Sequence, residues 1–277
     1  MVENQNKPEI LAAENSQPVL LTSTPKRKWT SYFKEFLMLF LAVFAGFMAE
    51  NYRDKLTEEA WAKELAINLY EELKADSAIV EIKTENRIKQ EKALQELMQY
   101  FEDSSLTDVS KTFVINFSYG ISFRTPSLFE PRTVILDQLK NSGSLRYFKN
   151  RELQKLIGDL SVAIYNINDR QRLETDVRKE YINRLIVLHY DYDFHRMLIK
   201  DSGVTNVNAV AAYEASDEII PFEFKSLEKF DKQGTINALG IYGMNALSST
   251  RSVHFQAYKE LNSEILKLLR KEYNIVD

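Results

Sequence analysis

Phe36-Leu-Met-Leu-Phe-Leu-Ala-Val-Phe-Ala-Gly-Phe-Met-Ala49 is fourteen apolar residues in a row without a charge. The basic cluster Lys26-Arg27-Lys28 and the aromatic residues Trp29, Tyr32 and Phe33 stand just before it. Fourteen helical residues cover only about 21 Å, short of the ~30 Å hydrocarbon core of a bilayer. With its flanks, a helix from Trp29 to Tyr52 is ~36 Å long and carries aromatic rings at both ends, where they prefer the interface. Lys34 can extend towards headgroups, while Glu35 must stay at the interface or pair with Lys34. This pattern predicts a membrane-spanning helix over residues 29–52. Two other readings compete. A cleaved signal peptide fits the basic-then-apolar order, with Val43-Phe44-Ala45 as its cleavage site, although the preceding region is long and holds Glu3, Glu9 and Glu14. A soluble core helix is the third, since a helix apolar on all sides must be buried somewhere.

Lys26, Arg27, Lys28 and Lys34 lie on the amino side of the span, against Arg53, Lys55 and Lys63 beyond it. The tight Lys-Arg-Lys cluster favours a cytoplasmic amino terminus and an exported remainder. Ala42, Ala45, Gly46 and Ala49 share one face, and Ala42/Gly46 and Ala45/Ala49 are both small-xxx-small pairs that let membrane helices approach closely. They are the candidate membrane-helix packing face.

The remaining composition is that of an ordinary domain: 44% apolar and 27% charged residues can bury a core. A net charge of −4 argues against general nucleic-acid binding, which needs a concentrated basic surface. The chain has no cysteine, which removes disulfides and thiol chemistry. Three histidines leave little material for acid–base work near neutral pH.

Residues 1–28 are polar and aperiodic, with three of the six prolines, and read as a disordered tail. Residues 47–119 contain neither glycine nor proline, which suits long helix. Trp61, Leu65, Leu69 and Leu73 recur every four residues, and Leu94, Leu97, Met98 and Phe101 resume the stripe. The polar stretch 81–93 between them suggests a break near Asp76-Ser77, and the helix should end near Asp103. Phe113, Ile115, Phe117, Tyr119, Ile121 and Phe123 alternate with smaller or polar residues, which predicts an extended segment lying across the helices. A short helix is expected over Arg132 to Lys140, ended by Asn141-Ser142-Gly143. Asn150 caps the next one, with Leu153, Leu156, Ile157, Leu160, Ile164 and Ile167 on one face. Residues 201–234 read as connection, anchored by Phe222 and Phe224. A last long helix is expected from Thr235 to Tyr273, with Leu247, His254, Tyr258, Leu261, Ile265 and Leu268 on near-heptad spacing. The expected fold is therefore mainly α, with residues 53–277 as an antiparallel helical domain.

The stretch Glu35-Phe36-Leu37 to Glu50-Asn51-Tyr52-Arg53-Asp54 resembles a family of uncharacterised bacterial proteins with a single N-terminal membrane anchor. Leu69-Tyr-Glu-Glu-Leu73-Lys-Ala-Asp76 is similar to that family's charged helix after the anchor. Leu139-Lys-Asn-Ser-Gly143-Ser-Leu145-Arg146 with Lys149-Asn150-Arg-Glu152-Leu153 resembles a second signature. The likeness covers most of residues 32–165. It implies a single-pass anchor and a mainly helical domain, and it carries over no site residue.

His189-Tyr-Asp191-Tyr-Asp193-Phe-His195 is the one constellation with metal-site chemistry. On a helix His189/Asp193 and Asp191/His195 each share a face, and imidazole with carboxylate suits zinc, iron or manganese. The plainer reading is a helical turn with aromatics inward. His254 reads as a packed histidine, Gly240-Ile-Tyr-Gly243 as a close-packing site and Ser248-Ser249-Thr250 as a helix break or start. The charges of residues 53–93 read as a solvated face. No cofactor motif and no catalytic set emerge. The expected function is an interaction, scaffold or accessory role without enzymatic activity, with the lipid bilayer and a protein partner or second copy as partners. The alternatives are a transmembrane sensory module and a metal-dependent enzyme at His189–His195.

Overall fold

Helix α1 spans Trp29–Asp103, ending where the Asp103-Ser104-Ser105 sequence predicts. The structure, a computed structural model, describes residues 29–123, 127–199 and 205–276; the expected disordered tail lies outside these residues. The chain divides into two units at Lys55/Leu56.

In the first unit the helix is apolar on all sides and exposed almost throughout. Phe36, Phe40 and Phe44 stack in a row, with ring centroids 6.3 and 6.1 Å apart. It is the one helix, among the described residues, long and apolar enough to cross a membrane, and none of its apolar window is buried.

The second unit, Leu56–Asp277, is all helix and loop; no strand occurs among its described residues. Along α1, Ala62, Ala66, Leu69, Leu73, Asp76, Val80, Lys83, Arg87, Gln90, Leu94, Leu97 and Phe101 alternate in steps of four and three. All are buried except Lys83, which is half-buried. This is an unbroken heptad seam, and its middle is polar. The expected break at Asp76-Ser77 does not occur, because the seam continues on polar side chains while Ile82 and Ile88 face solvent. The charged residues of this stretch are accordingly not one solvated face: Glu72, Asp76 and Arg87 are buried.

Helix α2 (Lys111–Phe117) is capped by Ser110, whose side chain accepts from the Phe113 N–H, and it widens into a π turn, Ser118–Ser122. The segment expected to be extended is thus helical through residue 122. Phe113, Phe117 and Ile121 point inward at helical spacing, and Val114, Ser118 and Gly120 are buried beside them. A helix enclosed on more than one side fills alternate positions with large residues by coincidence. Helix α3 (Val134–Asn141) ends at Gly143, whose φ of +70° suits glycine. Asn150 caps α4 (Arg151–Val177) by accepting from the Glu152 and Leu153 N–H groups, as its sequence predicts.

The α4 helix carries its own heptad seam, Leu153, Ile157, Leu160, Ile164, Ile167, Gln171, Glu174 and Arg178, all buried. It continues through a π turn (Arg178–Ile182) into α5 (Asn183–His189). Then follow α6 (Tyr192–Leu198) and α7 (Asn206–Ala215). The α7 helix lies inside the stretch read as connection; its signal is Thr205, which caps it by accepting from Asn208 N–H. Phe222 and Phe224 do anchor the connection, touching Phe113 and Phe117. The last helical run comprises α8 (Lys232–Gly240), π turns at Ile241–Leu247 and Thr250–Phe255, and α9 (Gln256–Tyr273). Ser248 and Ser249 stay helical between the π turns and neither break nor start the run. The α9 seam is Phe255, Tyr258, Asn262, Ile265 and Leu269, one position off the expected stripe at His254, Leu261 and Leu268.

These seams enclose two apolar cores. The first joins α1 (residues 62–80), Phe129, α3, α4 and α9; the second joins α1 (94–101) with α2, α5, α6, α7 and α8. Gly120 and Gly243 let the π-turn segments close on Leu94: a Cβ on Gly120 would sit 3.1 Å from Leu94 Cδ2 and 3.3 Å from its backbone nitrogen, and one on Gly243 3.2 Å from Leu94 Cδ1. The close-packing reading of Gly240–Gly243 therefore holds at Gly243. Gly158, exposed on α4, has nothing within 4 Å. Gly120→Ala is expected to cost about 1–3 kcal/mol through overpacking, whereas Gly158→Ala should gain up to ~1 kcal/mol of helix propensity. Urea unfolding of the two variants checks both signs.

Candidate functional site

Between the two cores lies a polar layer built around Arg87, which has no exposed surface. Its five N–H donors have five acceptors. Nη1 and Nη2 donate to the two Glu174 carboxylate oxygens at 2.8 and 3.0 Å, and Nε donates to the Ser127 carbonyl at 3.0 Å. The remaining Nη1 and Nη2 hydrogens reach the Leu247 carbonyl and Gln171 Oε1, both at 3.3 Å. Gln171 in turn exchanges two bonds with the Phe129 backbone, donating at 2.8 Å and accepting at 2.9 Å. The Phe255 ring covers the guanidinium at 4.5 Å. The π turns at Arg178–Ile182, Ile241–Leu247 and Thr250–Phe255 flank this layer. Such turns displace the regular i→i−4 bonding, and the Leu247 carbonyl at the end of one is an acceptor for Arg87.

Chemically the layer is closed. A bidentate Arg–carboxylate pair with every donor occupied has no free hydrogen for a substrate, so its role is to fix which residues of α1, α4 and the last helix face one another. The sequence reading missed it because Arg87, Gln171 and Glu174 look like surface residues unless both seams are traced through them.

The segment His189–His195 does not converge as its spacing allows. α5 ends at His189, so the four candidates are not on one helix. His189 is buried, stacked on Phe224 at 4.7 Å, and its Nδ1 donates to the Lys225 carbonyl at 2.7 Å. Asp191 is the α6 cap, accepting from the Asp193 N–H at 3.0 Å and, through its other oxygen, from the Glu223 N–H at 3.0 Å. Asp193 is exposed and pairs with Arg196. His195 meets the Tyr190 hydroxyl at 3.3 Å, and burial lowers its pKa. Burial, followed by the Tyr192 and Asp191 charges, pushes the Tyr190 hydroxyl up to about 12. These residues tie residues 222–225 to the helix end. Among the described residues no three His, Asp or Glu side chains are grouped to hold a metal. His254 is half-buried beside the seam; burial and the Arg170 charge lower its pKa.

In the first unit, Ala42, Ala45, Gly46 and Ala49 are exposed on the helix, and a Cβ on Gly46 would meet nothing within 4 Å. In the second unit, a groove of about 610 Å³ runs between α1 and α9, lined by Ser77, Val80, Glu81, Asn262 and the charged face of α9. No family model, curated protein or solved structure matches the chain.

The polar layer yields a quantitative test. Glu174→Gln keeps the shape but strands a buried guanidinium, and is expected to cost about 3–5 kcal/mol in denaturant unfolding. The double replacement Arg87→Met/Glu174→Leu should cost less than the sum of its single changes, because it removes both charges together.

Proposed function

We propose that this chain is a membrane-anchored interaction protein. A single span over residues 29–52 holds it in the bacterial inner membrane, and residues 53–277 serve as an extracytoplasmic scaffold or accessory domain. The observation that carries the reading is the amino-terminal part of α1: the helix is long and apolar enough to cross a membrane, and none of its apolar window is buried among the described residues. Exposing that many large apolar side chains to water is unfavourable by about 25 cal/mol for each Å², and lipid relieves the cost. The Lys26-Arg27-Lys28 cluster before the span supports a cytoplasmic amino terminus. A closed polar layer and a histidine segment spent on caps and stacking support a domain that presents surfaces to partners. The resemblance at residues 32–165 points the same way.

Washing the envelope fraction with alkaline carbonate should leave the full-length polypeptide in the pellet, and Leu41→Arg should move a large share of it to the supernatant. Release of the wild-type chain by carbonate alone would remove the anchor. External protease should degrade residues 53–277 in spheroplasts but not in intact cells; full protection in spheroplasts would reverse the orientation. If the Ala42, Ala45, Gly46 and Ala49 face holds two copies together, Gly46→Leu should weaken crosslinking within the membrane at least several-fold.

A further inference from the structure

On the seam between α1 and α9, three buried oxygens have no hydrogen-bond partner: Glu72 Oε1, Asp76 Oδ1 and Asn262 Oδ1. Glu72 and Asp76 stand one helical turn apart on α1, with 9% and 0% of their surface exposed. Each spends its other oxygen on a protein donor. Glu72 Oε2 accepts from the Ile135 N–H at 3.2 Å, and Asp76 Oδ2 accepts from the Arg132 N–H at 2.8 Å and the Tyr258 hydroxyl at 3.2 Å. Asn262, 1% exposed, reaches over from α9 and donates Nδ2 to the Leu73 carbonyl at 3.0 Å, a carbonyl that lies in sequence between the two acids. Its amide is thereby held at the α1 surface with the oxygen arm unused. The Tyr258 hydroxyl links the group, since it bonds Asp76 and feels both the Glu72 charge and Asn262.

Arg132, half-exposed, forms an ion pair with Asp76 whose Nε–Oδ1 distance of 3.9 Å is too long for a hydrogen bond. Orphaned acceptors in a native core call for a donor, a water or an ion. Of the three, Asn262 also borders the groove between α1 and α9, whose wall holds Glu81, Glu260 and Glu264 beside Lys259, Lys267 and Arg270.

The geometry points to a binding site for a hard divalent cation, calcium by preference, held by Glu72, Asp76 and Asn262. The donors are all oxygen, which selects calcium or magnesium over zinc or copper. Calcium accepts irregular oxygen cages at 2.3–2.6 Å, whereas magnesium demands near-ideal octahedra; two carboxylates and an amide from two different helices form the irregular kind. Water would complete the rest of the shell. Bound there, the ion neutralises both acids and crosslinks α1 to α9.

The test uses the full chain in detergent micelles, first stripped with a chelator. Adding CaCl₂ should raise the melting temperature by about 5 °C or more near saturation, while sodium chloride of equal ionic strength should not. In chelator, Asp76→Asn is expected to melt above the wild type, because it removes a buried charge, and to lose the calcium response. Glu72→Gln and Asn262→Leu should weaken calcium binding at least tenfold. Terbium luminescence, sensitised through the nearby Tyr258, gives a readout independent of stability: the signal should appear in the wild type, be displaced by calcium, and drop sharply in Tyr258→Phe and Asp76→Asn. Three results would overturn the site: an equal calcium shift in Asp76→Asn, a wild-type melting temperature that responds to lowered pH but to no divalent ion, or one that responds to neither. The second would mean that the acids share a proton, and the third that water fills the gap.

Discussion

A guanidinium with no exposed surface must have every hydrogen and its charge matched inside the protein, and that demand on Arg87 organises the rest of the second unit. Removing an ion from water costs several kcal/mol even after relaxation, and a good partner geometry offsets it only if all donors are met. Here the match draws on Glu174 and Gln171 of α4, the Leu247 carbonyl of the last helix and the Ser127 carbonyl of the loop before α3. Four distant parts of the chain must arrive together. A one-turn slip of α4 along α1 would strand both Arg87 and Glu174. The layer thus contributes little net stability and much positional discrimination, as single polar residues do in coiled-coil seams.

The same demand accounts for the irregular helices. An α-helix directs each carbonyl at its own amide four residues on, so a helix normally offers a neighbour no acceptor. The last run of helix is widened at Ile241–Leu247 and again at Thr250–Phe255, which exposes Leu247 O to Arg87 and shifts the seam so that Phe255 covers the guanidinium. Gly243, in the first of these turns, faces Leu94, so the widened backbone still packs closely. Each departure from regular geometry has an identifiable neighbour that it serves.

Much of this fold is legible in the sequence, and the exceptions share one cause. The mainly helical class, the end of α1 at Asp103, the Asn150 cap, the Gly143 stop and the Phe222/Phe224 anchors all follow from local patterns. What local patterns hide is a core position filled by a polar residue. Asp76, Arg87 and Gln90 made the α1 stripe look broken, and Gln171 with Glu174 made the α4 stripe look finished at Ile167. Counting alternate steps of four and three, instead of counting apolar residues, carries both seams through. The alternation at Phe113–Phe123 misled for the opposite reason: a helix buried on several sides has no polar face to reveal its period. For the His189–His195 segment, the helix end at His189 decided the outcome, and no residue type marks it.

The two polar layers of the seam differ in kind, and the difference bears on function. Around Arg87 one cation meets one carboxylate and every hydrogen is used, so the layer is complete within the polypeptide. Around Asp76 two carboxylates and an amide leave three acceptors bare, while the Tyr258 hydroxyl bonds the other Asp76 oxygen, Oδ2. A closed layer fixes structure and responds to nothing, whereas an open one must take something from solution before its charges balance. In a chain without cysteine, neither disulfide nor thiolate-bound metal is available to tie distant helices. The proposed oxygen cluster between α1 and α9 would let a cation from solution tie those helices instead.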